Sequence, residues 1–283
     1  MTDTASAEST SALPALPPLE EPVELSWWSR HHRAVVVAAG RIAVLVLGLA
    51  CWEYASGRWI EAMLVSRPSA IGAQFVRWLG DGTLLLHARI TITEVILGFL
   101  LGAAAGTVAA FLLAPMRIVQ RVVDPYIYAL YSLPKVSLAP LFIVWFGIGI
   151  SMKVLLAAIT VFFLVFLNTL AGIRQVDPAL VDAVRLMGCS RVQLVQKVIF
   201  PGAVSGLLTG LKVAIPYALI GAVIGELVAS NRGIGYLVSD SASRFNIAGV
   251  FASLIVLTLL AWVLNAIVSV LDARASRWRD SES

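Results

Sequence analysis

Charged side chains are scarce in this chain of 283 residues, of which 13% are Asp, Glu, Lys or Arg, against about 25% in an ordinary soluble domain. This scarcity argues against a soluble globular protein, because 59% of the residues are hydrophobic and the mean hydropathy is +0.88. The net charge of +4 is too small to indicate nucleic-acid binding. The composition therefore predicts an integral membrane protein.

Cysteine, histidine and lysine are also few, and each scarcity removes a class of chemistry. Two cysteines, Cys51 and Cys189, give neither a disulfide framework nor a zinc site. None of the four lysines follows a glycine, so the Gly-Lys-Ser/Thr loop that binds ATP phosphates is missing. All three histidines fall outside the predicted spans, which argues against an intramembrane Ser–His protease. We predict no catalytic residue, no metal site and no cofactor in this chain.

Long apolar runs, in contrast, are abundant and predict the fold class. A helix that crosses a bilayer needs about 20 apolar residues, and we predict an all-α protein with about six transmembrane helices. The third segment is too short for a straight span, so it must begin earlier or be broken, and Pro134 and Pro140 allow a kinked entry. The predicted spans are residues 34–55, 90–114, 136–150, 153–172, 203–229 and 247–271.

Basic residues predict the orientation of these spans. With both termini in the cytoplasm, twelve Lys and Arg residues, Lys135 among them, fall in cytoplasmic segments and seven, including Lys153, fall in external ones. This bias follows the excess of basic residues on the cytoplasmic side of membrane proteins. Three regions result: a disordered cytoplasmic tail with a basic and aromatic anchor (1–33), a six-helix transmembrane domain (34–279) and a short tail (280–283).

Small and polar residues within the spans suggest packing and function. Glycines at four-residue spacing favour close helix packing within the subunit. Pro216 predicts a kink that is either static or part of a gate, and Asn168 needs a partner on another helix or at a cavity wall. We interpret Glu226 as a gate or helix-to-loop residue, with simple solvation as the alternative. The packing glycines are Gly98, Gly102, Gly106, Gly202, Gly206 and Gly210.

Between the first two spans, Ser69 is predicted to cap a short helix on the membrane surface. Between spans four and five, residues 177–201 predict two short helices that meet at an elbow. Asp177 caps the first helix, Gly188 allows the left-handed turn that ends it, and Ser190 caps a second helix that stops at Pro201. An elbow of this kind indicates a docking surface, which spanning the membrane does not itself require.

The elbow resembles the cytoplasmic loop of binding-protein-dependent ABC importer permeases. Asp182, Ala183, Gly188 and Pro201 match the Glu-Ala-Ala, Gly and Ile-x-Leu-Pro positions of that loop. The mild departures are at Asp182, Val184, Val198 and Phe200. Further strings at 138–149, 167–172 and 226–237 resemble the nitrate, sulfonate and taurine branch, and the likeness extends from about residue 65 to 279.

The resemblance implies a type I ABC importer permease fold in a bacterial plasma (inner) membrane. It implies that the chain pairs with a second copy of itself, receives solute from an external solute-binding protein and docks on a dimer of cytoplasmic ATPase subunits, which hold ATP and magnesium. The docking residues would be Asp182, Ala183, Arg185, Gly188, Arg191 and Pro201. A stand-alone secondary transporter or channel is the main alternative, and a membrane assembly scaffold is a third.

Overall fold

The computed structural model describes residues 27–276, and it describes the side chains of all of these except 27–34, 62–63, 117 and 271–276. Nearly all of this part of the chain is helical. It contains twelve α-helices: α1 (Trp27–Ala55), α2 (Ala62–Val65), α3 (Pro68–Gly80), α4 (Thr83–Leu113), α5 (Arg117–Ser132), α6 (Ala139–Phe146), α7 (Ile150–Arg174), α8 (Pro178–Leu186), α9 (Arg191–Leu194), α10 (Phe200–Val228), α11 (Ile234–Ser243) and α12 (Ile247–Ser276).

Two short segments of other helical types complete the chain path. A 3₁₀ turn, Lys135–Leu138, leads directly into α6. A π-helical segment, Val195–Ile199, joins α9 to α10. Such segments change the hydrogen-bond spacing of the backbone and commonly mark functional positions.

Five helices are long and apolar enough to cross a membrane, and a bent pair, Ile118–Ser132 with Lys135–Phe146, brings the number to six if it forms one span. The prediction of about six spans is confirmed. The two halves of the pair are bent by 87°, in agreement with the prediction that the third segment begins earlier or is broken. Pro134 precedes the 3₁₀ turn at the break, and Pro140 lies in the first turn of α6.

The predicted terminal regions are only partly within the described residues. Residues 1–26 of the predicted tail and the predicted C-terminal tail (280–283) lie outside them. The anchor residues that we assigned to the tail, from Trp27 onward, form the first turns of α1.

The prediction that Ser69 caps a surface helix is wrong in its detail. Helix α3 begins at Pro68 with Arg67 at the N-cap position. Ser69 donates two hydrogen bonds to the Glu53 carboxylate, from its backbone N–H at 3.0 Å and from its hydroxyl at 2.7 Å. Proline suits the first turn of a helix because its missing N–H would have no partner there.

Helix α7 forms the centre of residues 52–276 and packs between α4 and α10. Its residues Ala157, Val161 and Val165 are fully buried. Small residues on both neighbouring helices allow this packing, since bulky side chains would hold the backbones apart.

The predicted packing glycines lie at or beside these contacts. A side-chain carbon on Gly98 or Gly102 of α4 would overlap α7, and one on Gly106 would lie 2.7 Å from the carbonyl oxygen of Phe162. On α10, a carbon on Gly206 would lie 2.7 Å from the Asn168 carbonyl oxygen, and one on Gly210 would lie 2.9 Å from the Asn168 Cβ.

Gly202 is different, since its nearest neighbour is the Val176 side chain just beyond α7, 2.8 Å from the position of an added carbon.

A second apolar cluster fixes the elbow against the ends of α4 and α7. Val181, Leu194 and Val198 are buried there together with Leu170 and Ile173. The elbow is therefore folded onto the helix ends and has one buried and one exposed side.

Candidate functional site

The elbow follows the local rules that its sequence predicts. Asp177 accepts a hydrogen bond from the backbone N–H of Ala179 at 2.8 Å and caps α8. Gly188 has a φ of +80°, the left-handed conformation that glycine adopts without strain. Ser190 caps α9 reciprocally with Gln193, whose backbone N–H donates to the Ser190 hydroxyl at 3.3 Å. These three predictions are confirmed.

The exposed side of the elbow is apolar with a basic margin. Leu186 and Met187 are 89% and 84% exposed, and Val192 on α9 is 64% exposed. Arg185 pairs loosely with Asp182 at 3.6 Å on the solvent side. The predicted elbow residues before Pro201 are all exposed: Asp182, Ala183, Arg185, Gly188 and Arg191. Because apolar side chains exposed this far indicate a protein contact when they cluster, this face can dock a partner.

Pro201 does not end the second elbow helix, and this prediction is wrong. Helix continues without a break from Arg191 to Val228. The π-helical segment explains why: the backbone N–H of Phe200 bonds to the carbonyl of Val195, five residues back. A proline inside an α-helix clashes with the carbonyl four residues earlier, and the wider π turn just before Pro201 avoids this clash.

The predicted pathway residues Asn168 and Pro216 are in ordinary surroundings. The Asn168 side chain donates to the carbonyl of Leu164 at 2.8 Å, so this partner lies on its own helix and not on another one. A position of Asn168 at a cavity wall stays a prediction. Pro216 lies within α10, which continues across it.

Glu226, by contrast, lies in a buried polar cluster near the end of α10 farthest from the elbow. Its side chain is 1% exposed, so the alternative of simple solvation is wrong. One carboxylate oxygen accepts from the Thr91 hydroxyl at 2.7 Å, and the other accepts from the backbone N–H of Gly235 at 2.7 Å. Glu226 therefore connects α10 both to α4 and to the segment that begins α11.

A buried ion pair belongs to the same cluster. Lys153 of α7 pairs with Glu94 of α4, and both side chains are almost fully buried. Lys153 also donates to the hydroxyl of Ser230, 3.0 Å away, in the loop after α10. The cluster thus joins three membrane helices and one loop. Buried charges in a membrane protein are costly and are usually paired or functional.

His87 and Thr91 hold the same loop from the α4 side. The backbone N–H of Gly233 donates to Nδ1 of His87 at 2.9 Å, and that of Ile234 donates to the Thr91 hydroxyl at 2.9 Å. A side chain on Gly233 would overlap the Glu226 carboxylate. Only glycine fits this position, because its φ of +111° also disfavours other residues.

Sequence reasoning missed most of this cluster. It placed His87 outside the spans and counted Lys153 among the external charges, whereas both lie in helices and are buried. The available indication was Glu94, an acidic residue in an apolar helix, which needs a partner. Nothing in the sequence alone identifies that partner as Lys153, 59 positions away on another helix.

Comparison with known proteins identifies the family. Residues 94–279 match the model for binding-protein-dependent transport system inner membrane components. This chain belongs to that family. The permease is accordingly a multi-pass protein of the inner membrane that acts in transport, and the matched residues include the elbow and, of the polar cluster, Glu94, Lys153 and Glu226.

Several relatives cover most of the permease. It is 32% identical over 234 residues to the putative aliphatic sulfonates transport permease SsuC of Bacillus subtilis, covering 82% of this chain and 85% of that protein. It is 27% identical over 259 residues to the taurine transport permease TauC of Escherichia coli, covering 90% and 94%. It is 30% identical over 247 residues to the riboflavin transport permease RibX of Chloroflexus aurantiacus, covering 86% and 91%.

Solved structures show the same fold. The permease superposes on a chain of the inward-facing MetNI methionine ABC transporter with a TM-score of 0.55 and 19% identity, covering 69% of this chain and 95% of the other. It superposes on a chain of an amino acid ABC transporter with the same TM-score and 18% identity, covering 71% and 98%. The predicted type I ABC importer permease fold is therefore confirmed.

Proposed function

We propose that this permease forms the translocation pathway for a small solute, in the anion class that includes sulfonates, nitrate and taurine. An external solute-binding protein delivers the solute, and a dimer of cytoplasmic ATPase subunits, which hold ATP and magnesium, drives its import. Two copies of the permease form the membrane unit, and both termini face the cytoplasm.

The elbow is the observation that carries this proposal. Its exposed face combines Leu186, Met187 and Val192 with Arg185 at the margin, and an apolar centre with a polar rim is typical of protein interfaces. Its buried face is fixed to α4 and α7 through Val181 and Leu194. A partner that grips the exposed face would therefore move helix ends together with it.

The continuous helix from Arg191 to Val228 gives the coupling route. One end belongs to the elbow, and the other carries Glu226 in the buried polar cluster. Alternating access needs an element that both the ATPase and the gate can bias, and this continuous helix connects the two places.

The solute class rests on the relatives, and these differ. The names of SsuC and TauC specify aliphatic sulfonates and taurine, whereas that of RibX specifies riboflavin. We propose the sulfonate-like class because SsuC relatives occur in both Bacillus subtilis and Escherichia coli, at 32% and 29% identity over more than four fifths of this chain.

The test is affinity purification of the intact permease from its own membranes in mild detergent, followed by mass spectrometry and an ATPase assay. We expect a P-loop ATPase in one copy per permease and a co-eluting binding protein whose ligand identifies the solute. A folded permease that purifies without an ATPase, and that moves solute down a gradient in vesicles, would support the stand-alone transporter instead.

Two matched variants test the elbow within the same experiment. Leu186→Asp with Met187→Asp should reduce the co-purified ATPase at least about tenfold, since removing a central contact of an interface commonly costs about 2 kcal/mol. Phe245→Asp is the control: Phe245 is also highly exposed, at 73%, but lies in the loop between α11 and α12. Equal ATPase recovery from all variants would exclude the elbow as the docking face.

A further inference from the structure

The break in the third span places a lysine beside the middle of α7. Lys135 begins the 3₁₀ turn at the 87° bend between the two halves of the bent pair. The prediction that Lys135 is a cytoplasmic orienting charge placed it instead in a loop at the membrane surface. Its ammonium lies 5.7 Å from the ring centroid of Phe163, and Phe163 is in the central part of α7.

A cavity of about 210 Å³ opens beside this lysine. Thr160 and Leu164, halfway along α7, form one wall, so the cavity lies at mid-depth in that helix. At roughly 30 Å³ per water molecule, the space holds about seven waters or a small organic anion.

Lys135 is the charged residue of this lining, and it has no acidic partner. Its ammonium donates to the backbone carbonyl of Tyr131 and lies 4.5 Å from the ring centroid of Tyr131. Across residues 27–276, no described carboxylate comes within ion-pair distance of it. Lys153 shows the contrast, because Glu94 neutralises it.

The lining also offers hydrogen-bond donors. The phenol hydroxyls of Tyr131 and Tyr217 make no hydrogen bond to any other residue that the structure describes. Both tyrosines are partly exposed. A cation at membrane depth with unused hydroxyl donors around it matches the needs of an oxyanion, since such a ligand supplies the missing negative charge and accepts several hydrogen bonds.

We propose that this cavity binds the negatively charged oxygens of the solute, of the sulfonate class, on its way through the permease, with Lys135 as the residue that selects for negative charge. This inference rests on the proposed function, because it concerns the solute that the permease carries. It assigns the selection for charge to this chain itself, at the break of the third span.

The test uses the full-length permease in lipid nanodiscs and a cysteine placed in the cavity wall. Cys51 and Cys189 are replaced by serine, and Ile220→Cys provides the reactive group, since Ile220 lines the cavity and is half exposed. The probes are two methanethiosulfonates of similar size, one carrying a sulfonate and one carrying a trimethylammonium group. Mass spectrometry gives the rate at which each modifies the cysteine.

We expect the sulfonate reagent to react faster, and the ratio of the two rates to fall about tenfold in Lys135→Gln, because a charge in a confined site concentrates its counter-ion by this order or more. Lys135→Arg should keep the ratio. Lys197→Gln, which removes an exposed lysine of the π-helical segment, should leave it unchanged. A ratio that is the same with and without Lys135 would overturn the proposal.

Competition gives a second measurement in the chain that retains Lys135. Ethanesulfonate at tens of millimolar should slow the modification of Ile220→Cys, and it should have no such effect in Lys135→Gln. Failure of ethanesulfonate to protect would exclude a sulfonate site even if the Gln variant were misfolded. Neither assay uses the ATPase or the binding protein. A negative result here therefore contradicts the anion site and not the docking of the ATPase, and failure of the co-purification contradicts the docking and not the anion site.

Discussion

The Glu94–Lys153 pair is buried between α4 and α7, and at the scale of single residues this burial determines how much a mutation of either partner changes the stability of the permease. Two buried opposite charges attract each other strongly but have lost their hydration, so the pair contributes little net stability while each partner depends on the other. The exposed pair between Arg244 and Asp240, at 2.8 Å, has kept most of its hydration, so its removal should matter far less.

We therefore expect Lys153→Met to destabilise the permease by about 3–5 kcal/mol, because it leaves the Glu94 carboxylate buried without its cation. Arg244→Met, the surface control, should change stability by about 1 kcal/mol or less. Thermal unfolding in detergent measures both. The double variant Lys153→Met with Glu94→Gln should recover most of the loss, and failure to recover would show that the two charges are not coupled.

Glu226 supports a separate expectation. Its two oxygens each accept one hydrogen bond, from Thr91 and from Gly235. Glu226→Gln replaces one acceptor with a donor group and should cost about 1–3 kcal/mol, the penalty of an unmet buried hydrogen bond. Hydrogen–deuterium exchange should then show faster exchange at residues 233–235, and unchanged exchange there would contradict the role of Glu226 in holding this segment.

At the scale of the helical elements, glycine contacts set the distance between α7 and its neighbours. Gly102 is the clearest case on α4, because an added carbon would overlap the Ala158 carbonyl and lie 2.8 Å from the Val161 side chain. Gly72 of α3 has no heavy atom within 4 Å of the equivalent position. The same substitution should therefore act in opposite directions at the two sites.

Gly102→Ala should destabilise the permease by about 1–3 kcal/mol, since an overfilled helix contact forces the backbones apart. Gly72→Ala should be neutral or stabilise by up to about 1 kcal/mol through reduced freedom of the unfolded chain. The unfolding midpoints of the two purified variants, each compared with that of the unchanged permease, measure both effects. A destabilised Gly72→Ala, or an unaffected Gly102→Ala, would contradict this account of the packing.

Local chemistry could be predicted at this scale, and long-range contacts could not. Asp177, Gly188 and Ser190 act within a few residues of themselves, so caps and turns followed from their identity alone. The prediction that Pro201 ends the helix failed because a π turn accommodates this proline. Val198 and Ile199 of that turn are buried in the elbow cluster, so the turn belongs to the tertiary packing. The pairing of Lys153 with Glu94, and of His87 with Gly233, depends on which helices meet, and a single sequence does not contain that information.

For the whole molecule, the bent pair decides the topology. Helices α4 and α7 run in the same direction, since Gly98, Gly102 and Gly106 of α4 meet Ala157, Val161 and Val165 of α7 in that order. The bent pair therefore returns the chain to the side on which α4 begins, and Trp59 and Ile148 lie on the same side of the membrane. Both residues are well exposed, at 78% and 71%, so cysteines there should be reactive.

In a background without Cys51 and Cys189, a membrane-impermeant maleimide should label Trp59→Cys, Ile148→Cys and Phe245→Cys from outside intact cells. Leu186→Cys should react only in inside-out vesicles, because it lies on the elbow. Labelling of Ile148→Cys from the cytoplasmic side, with Trp59→Cys labelled from outside, would contradict both the six-span topology and the packing of α7 on α4.

The helix from Arg191 to Val228 also has a mechanical consequence. Its 38 residues extend about 57 Å at 1.5 Å per residue. A tilt of the helix about the elbow therefore moves its opposite end. A rigid tilt of about 5° moves the far end by about 5 Å, by the geometry of a rod of that length. That travel exceeds the 2.7 Å separation between Glu226 and the Thr91 hydroxyl. A small rotation in the cytoplasm is thus amplified into a displacement large enough to open the contacts at the opposite end.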